Sequence, residues 1–109
     1  MIDIPVLDAN DSLTEIELSG ATYFLRMSWN SEGGFWVLGV EDYAHALILA
    51  GVRVVANSPL LEMWHNLAVP AGELYAVLMD DTREEILRTD FADGTCSLIY
   101  VEPGEIVTV

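Results

Sequence analysis

Tyr23-Phe24-Leu25-Arg26-Met27-Ser28-Trp29, then Asn30-Ser31-Glu32-Gly33-Gly34, then Phe35-Trp36-Val37-Leu38 is the stretch that decides the fold. Tyr23, Leu25, Met27 and Trp29 fall on one side of an extended chain and Thr22, Arg26 and Ser28 on the other, with Phe24 the exception. A period of two marks a half-buried strand. Asn30 to Gly34 supplies residues that tolerate positive φ, so the chain can reverse into the aromatic strand that follows.

Outward from this hairpin the pattern repeats. Ser12 to Leu18 alternates, with Thr14, Ile16 and Leu18 on one face and Glu15 and Glu17 on the other. Ser19-Gly20 turns it into the Thr22–Trp29 strand, so the first three strands read as an antiparallel meander. Glu41 to Ala44 is a polar connection, followed by Ala46–Ala50 and Val52–Val55. Gly51 between them marks a bulge, or a bend where the strand passes from one sheet to another. Asn57-Ser58-Pro59 ends that run and either caps a short helix from Pro59 or Leu60 or opens an irregular buried segment. Val69-Pro70-Ala71-Gly72 reads as a turn. Glu73 to Met79 has apolar residues on both faces, which predicts a central strand or a subunit contact. Asp80 to Arg88 is predicted to form a helical turn with Asp80 or Asp81 as N-cap and acids in the first turn. Asp93-Gly94 leads into a strand over Thr95–Val101, Glu102-Pro103-Gly104 breaks it, and Ile106–Val109 leaves an apolar tail that could add an edge strand to a neighbour. The fold class is all-β: a single β domain, residues 1–109, forming a small antiparallel β-sandwich or barrel of about seven strands with one short helical turn.

A length of 109 residues suits one packed core, and 52% hydrophobic residues is too many for a disordered chain despite a net charge of −14. The charge comes from 18 acidic residues against 4 arginines and no lysine. Phosphate backbones need clustered basic groups, so nucleic acid is excluded as a partner, and an anionic membrane surface is disfavoured likewise. A basic protein partner, or solubility alone, accounts for the excess. The start, Met1-Ile2-Asp3-Ile4-Pro5, lacks the basic region of a signal peptide, and Ala46–Val52 falls far short of the roughly 20 residues that span a bilayer. A soluble, unsecreted protein is the expectation.

The sequence groups no reactive side chains. His45 and His65 have no further ligands at metal spacing, whereas zinc needs three or four that converge. Cys96, the one cysteine, sits in a strand-like apolar context and reads as a buried, inert thiol. Pairs such as Asp80-Asp81, Glu84-Glu85 and Glu15/Glu17 are what any acid-rich chain contains, and Asp80 to Glu85 lacks the alternating oxygens and glycine of a calcium loop. Trp29, Trp36 and Trp64 could stack a sugar, but Trp29 and Trp36 flank one turn and read as core, mostly buried. No residue is assigned a catalytic, cofactor-binding or metal-binding role, and the chain is not read as an enzyme.

The order of the pieces carries a resemblance. Tyr23-x-Leu25-Arg26-x-x-Trp29-Asn30, a Glu-Gly-Gly turn, Phe35-Trp36-x-Leu38, Gly51-Val52-Arg53-Val54-Val55, Ser58-Pro59-Leu60-Leu61, Val69-Pro70-Ala71-Gly72-Glu73-Leu74-Tyr75-Ala76-Val77 and Leu98-Ile99-Tyr100-Val101 follow one another. In this the chain resembles the small baseplate plug proteins of contractile-tailed bacteriophages, the cyanophage type, over roughly Ile2 to Val101. It departs from them at Glu41–Ala44, which lacks an Asp-Gly type turn, and at Asp81–Arg88, which reads as more helical than a loop. The resemblance implies a non-enzymatic structural component of the virion, made in the host cytoplasm. Such a plug sits on the axis of the tail baseplate, joins hub, tail tube and tape-measure protein, and is a homo-oligomer, a trimer. The competing readings are a carbohydrate-binding β domain built on the tryptophans and an acidic inhibitor that mimics DNA.

Overall fold

The alternation at Tyr23 continues into a ten-residue strand, and the computed structural model, which describes residues 1–104, builds both sheets around such runs. Seven strands form: β1 (Ile2–Ile4), β2 (Asp11–Leu18), β3 (Ala21–Asn30), β4 (Phe35–Asp42), β5 (Leu47–Arg53), β6 (Glu73–Leu78) and β7 (Cys96–Val101). A 3-10 turn at Glu62–Trp64 and one helical turn, α1 (Asp90–Asp93), complete the regular structure. Sheet order is β2-β3-β4-β5 in one sheet and β1-β7-β6 in the other, with every strand pair antiparallel. The fold is all-β, and the expected meander is β2-β3-β4.

Each sheet turns one face inward. Leu18, Leu25, Met27, Trp36, Leu38, Val40 and Leu49 from the larger sheet meet Ile4, Leu74, Ala76, Leu78, Cys96, Leu98 and Tyr100 from the smaller in one apolar core. At the β3–β4 turn the Asn30 side-chain oxygen accepts from the Glu32 and Gly33 N–H groups at 3.1 and 2.9 Å, and Gly34 takes φ +73°. That conformation is cheap only for glycine. It sets the register that places Trp29 opposite Trp36.

One edge of the sandwich is sewn shut. Past β5, Val54 N–H still donates to Trp36 O at 2.9 Å, and two residues on Ala56 bridges in parallel to Ala76 of β6. Asn57 N–H donates to Ala76 O (2.8 Å), Leu60 N–H to Leu74 O (2.9 Å), and Leu78 N–H to Asn57 Oδ1 (3.1 Å). The chain thus crosses between sheets after Val54, not at Gly51, and covers the outer edge of β6. Opposite, the buried Tyr100 hydroxyl accepts from Gly72 N–H at 2.6 Å and lies 2.6 Å from Ser19 Oγ, which donates to Glu102. One side chain therefore ties the β2–β3 turn to the turn before β6. A Cβ on Gly72 would overlap both this hydroxyl and Val101 O, so the close approach requires glycine there.

Five expectations change. The Ile2–Ile4 strand is absent from the sequence reading, because three residues are too few to show a period. Of the two readings of Gly51 the bulge holds and the sheet-changing bend does not: Leu47–Arg53 is one strand, β5, bulged near Gly51 (φ +74°). β6 is the edge strand of its sheet and β7 the central one; its outer face carries half-buried Tyr75 and Val77 and ends at exposed Met79. Asn57 caps no helix, since its side chain serves β6 instead. Asp80–Arg88 forms no helix either; the helical turn lies at Asp90–Asp93. There Asp80 Oδ1 accepts from Thr82 N–H (2.9 Å) and Asp90 Oδ2 from Leu87 N–H (2.7 Å), and these local bonds displace the helical ladder. The Ile106–Val109 tail lies outside the described residues.

Candidate functional site

The residues weighed for chemistry do not converge. His45 stacks on Phe24 (ring centroids 3.9 Å apart) with Nδ1 3.1 Å from Glu41 Oε1, while His65 Nε2 lies 3.6 Å from Glu73 Oε2. Among the described residues no group of His, Cys, Asp and Glu could hold a metal ion. The Cys96 thiol is buried, and burial pushes its pKa up to about 12, so it carries almost no thiolate near neutrality. Trp36 is fully buried between Trp29 and Phe91 (edge contacts at 5.4 and 5.7 Å) and its indole N–H points at Leu87 O, 3.4 Å away. Trp29 and Trp64 are only half-buried, so Trp29 is less enclosed than its sequence predicts. The three tryptophans make no common platform.

The arginines are distributed unequally. Arg83 grips Asp90 with two bonds, Nη1 to Oδ2 at 2.6 Å and Nη2 to Oδ1 at 2.9 Å, and its Nε donates to Asp80 at 3.3 Å. That guanidinium, first, and the Leu87 N–H hold the nearly inaccessible Asp90 carboxyl below the usual carboxylate range, against the opposing effect of burial. Arg26 pairs with Asp11 at 2.9 Å; the Ser28 hydroxyl and then this arginine lower the Asp11 pKa. Arg88 bonds Asp8 (3.0 Å) and Asn10 (2.6 Å) over the Trp36 ring. Arg53 differs: its guanidinium lies 4.6 Å from the Phe35 ring centroid, and no carboxylate pairs with it among the described residues.

Arg53 stands at a cleft of about 620 Å³, walled by the end of the β3–β4 hairpin (Trp29, Gly33 to Phe35), by Arg53 to Ala56, and by the loop from Glu84 to Leu87. The floor is apolar, with Val54 and Ile86 buried, and Glu84 and Glu85 are exposed at the rim. The Arg83–Asp90 clasp, which also engages Glu85 O at 2.8 Å, shapes the third wall. A smaller cleft of about 350 Å³ lies beside β1, Phe91 and Cys96. Sequence reasoning missed the larger cleft because its walls come from three distant segments. The lone signal was a basic residue, Arg53, inside an otherwise apolar strand.

Exposed apolar side chains are the other notable surface feature: Met63 (82%), Tyr43 (77%), Leu47 (66%) and Met79 (66%). A family model described as cyanophage baseplate Pam3 plug gp18 matches residues 1–103. No curated protein matches the chain.

Proposed function

The chain belongs to the cyanophage baseplate plug family, and from that premise we propose that it works without enzymatic activity as the plug on the tail axis, joining hub, tail tube and tape-measure protein. The observation that carries this reading is the span of the match, residues 1–103, which includes all seven strands. The architecture supports it. A sandwich closed along one edge, with its tyrosine link buried, is a rigid body suited to bearing contacts. Large exposed apolar side chains suit surfaces that become buried in an assembly.

The protein is read as a homotrimer around the tail axis, made in the host cytoplasm and retained in the virion. Three copies each carrying −14 repel one another, so basic surfaces on neighbouring proteins and screening by salt favour assembly. A DNA mimic is less well supported, because Asp90 is in the core and Asp8, Asp11 and Asp80 are held in arginine pairs. Two measurements test the proposal. Cryo-electron microscopy of purified tails, with and without the gene, should show density on the baseplate axis only when the gene is present. Sedimentation of the purified protein at low and high salt, with and without hub protein, should show trimers or hub complexes. Tails that never contain the chain, and a monomer under all four conditions, would overturn it.

A further inference from the structure

We propose that the cleft between the β3–β4 hairpin end, Arg53–Ala56 and Glu84–Leu87 is a docking groove for an extended segment of a neighbouring tail protein that carries lysine or arginine between apolar residues. The inference rests on the structural reading above and names the kind of contact it uses.

Backbone geometry supplies the first argument. Val54 N–H is bonded to Trp36 O, so in an antiparallel ladder Arg53 and Val55 turn their own backbone groups away from β4. The Ala56–Ala76 bridge turns the Val55 carbonyl toward Ala76 N–H, which leaves Arg53 N–H and C=O and Val55 N–H as the open edge, and the Val55 side chain is 49% exposed. Elsewhere the edges are blunted: β6 is covered by residues 56–60, β1 has three residues, and β2 carries Asp11, Glu15 and Glu17. A short stretch of free strand edge beside an apolar floor is the geometry by which proteins bind extended peptides.

Charge identifies the occupant. Glu84 and Glu85 have no side-chain partner among the described residues, and the whole chain adds an attractive field for cations. A second copy of this chain is a poor occupant, since three of its four arginines are already paired with carboxylates. A saccharide would leave the strand edge unpaired. Arg53, stacked on Phe35 at the other end of the cleft, offers a place for a backbone carbonyl or an acidic group of the same segment. At about 620 Å³ the cleft falls within the roughly 300–1,000 Å³ typical of binding sites.

The probe is the blocked peptide acetyl-Val-Lys-Val-Arg-Val-Thr-amide, titrated into the isotope-labelled protein by NMR. Amide shifts are expected at Arg53–Ala56 and Glu84–Leu87, at least tenfold weaker in affinity for Glu84→Gln with Glu85→Gln and for a peptide with glutamate in place of both basic residues. Both glutamate side chains are exposed, and the Arg83–Asp90 clasp takes only the Glu85 backbone carbonyl, which the substitution retains, so the variant should keep the wild-type circular dichroism spectrum and melting temperature. An equal response to the acidic peptide, an unchanged double variant, shifts elsewhere, no shifts, or binding of cellotetraose in the peptide's stead would each overturn the groove. Incorporation of the wild-type chain into tails reads the structural role separately. Loss of the peptide response with normal incorporation removes only the groove, whereas absence from tails removes the role itself.

Discussion

Truncating Trp36 to alanine tests how the larger sheet and the Asp80–Asp93 region are held together. Trp36 is 1% exposed and touches Trp29, Phe91, the Leu87 carbonyl and the Arg88 guanidinium, so it joins β4, β3, α1 and the loop before it. A buried tryptophan withdraws about 200 Å² or more from water, which at ~25 cal/mol per Å² is an upper bound of about 5 kcal/mol. Alanine retains the Cβ and the neighbours partly collapse, so Trp36→Ala should cost about 4 kcal/mol, inside the usual 3–5 for such a change. A domain of this size has a total stability of roughly 5–15 kcal/mol, so the variant should fold marginally. Trp29 is only half-buried, and Trp29→Ala should cost roughly half as much, about 2 kcal/mol. Urea unfolding followed by circular dichroism gives both values from the shift in midpoint at constant slope. A loss under about 1 kcal/mol for Trp36→Ala, or equal losses for the two variants, would refute the packing described.

Tyr100→Phe removes the hydroxyl that accepts from Gly72 N–H and bonds Ser19, leaving a buried donor without a partner; it should cost about 1–3 kcal/mol, with faster amide exchange at Gly72 and Ser19. Asp90 has a folded-state pKa below its unfolded value of about 3.9, so its contribution is fully present above that value and is lost as pH falls through the folded pKa. Asp90→Asn should therefore lower the melting temperature at pH 7 and flatten its decline below about pH 4, measured by thermal scans from pH 7 to pH 2.5. With its thiol pKa raised to about 12 by burial, Cys96 should resist Ellman's reagent at pH 8 in the folded protein and react fully in denaturant.

The sequence by itself determined the class of this fold and much of its layout. Alternation at Tyr23–Trp29 and Ser12–Leu18, with Gly20 and Gly34 taking positive φ in the flanking turns, acts between near neighbours, so it is readable without coordinates. The order of short motifs likewise led to the plug family that the match over residues 1–103 shows. Only the tertiary structure decided what Asp80–Arg88 does. Its local propensity is helical, but the buried carboxylate of Asp90, seven residues beyond Arg83, draws that guanidinium into two strong bonds that a helix there would break. Ile2–Ile4 is a strand only because β7 offers it an edge, and β6 is marginal in its sheet because Ala56–Leu60 returns to cover it. The cleft beside Arg53 follows the same rule: its walls are separated by many residues of chain and meet only after both sheets have closed on one core. Short-range periodicity reports which face of a strand is buried; it carries no record of which distant segment will lie against it.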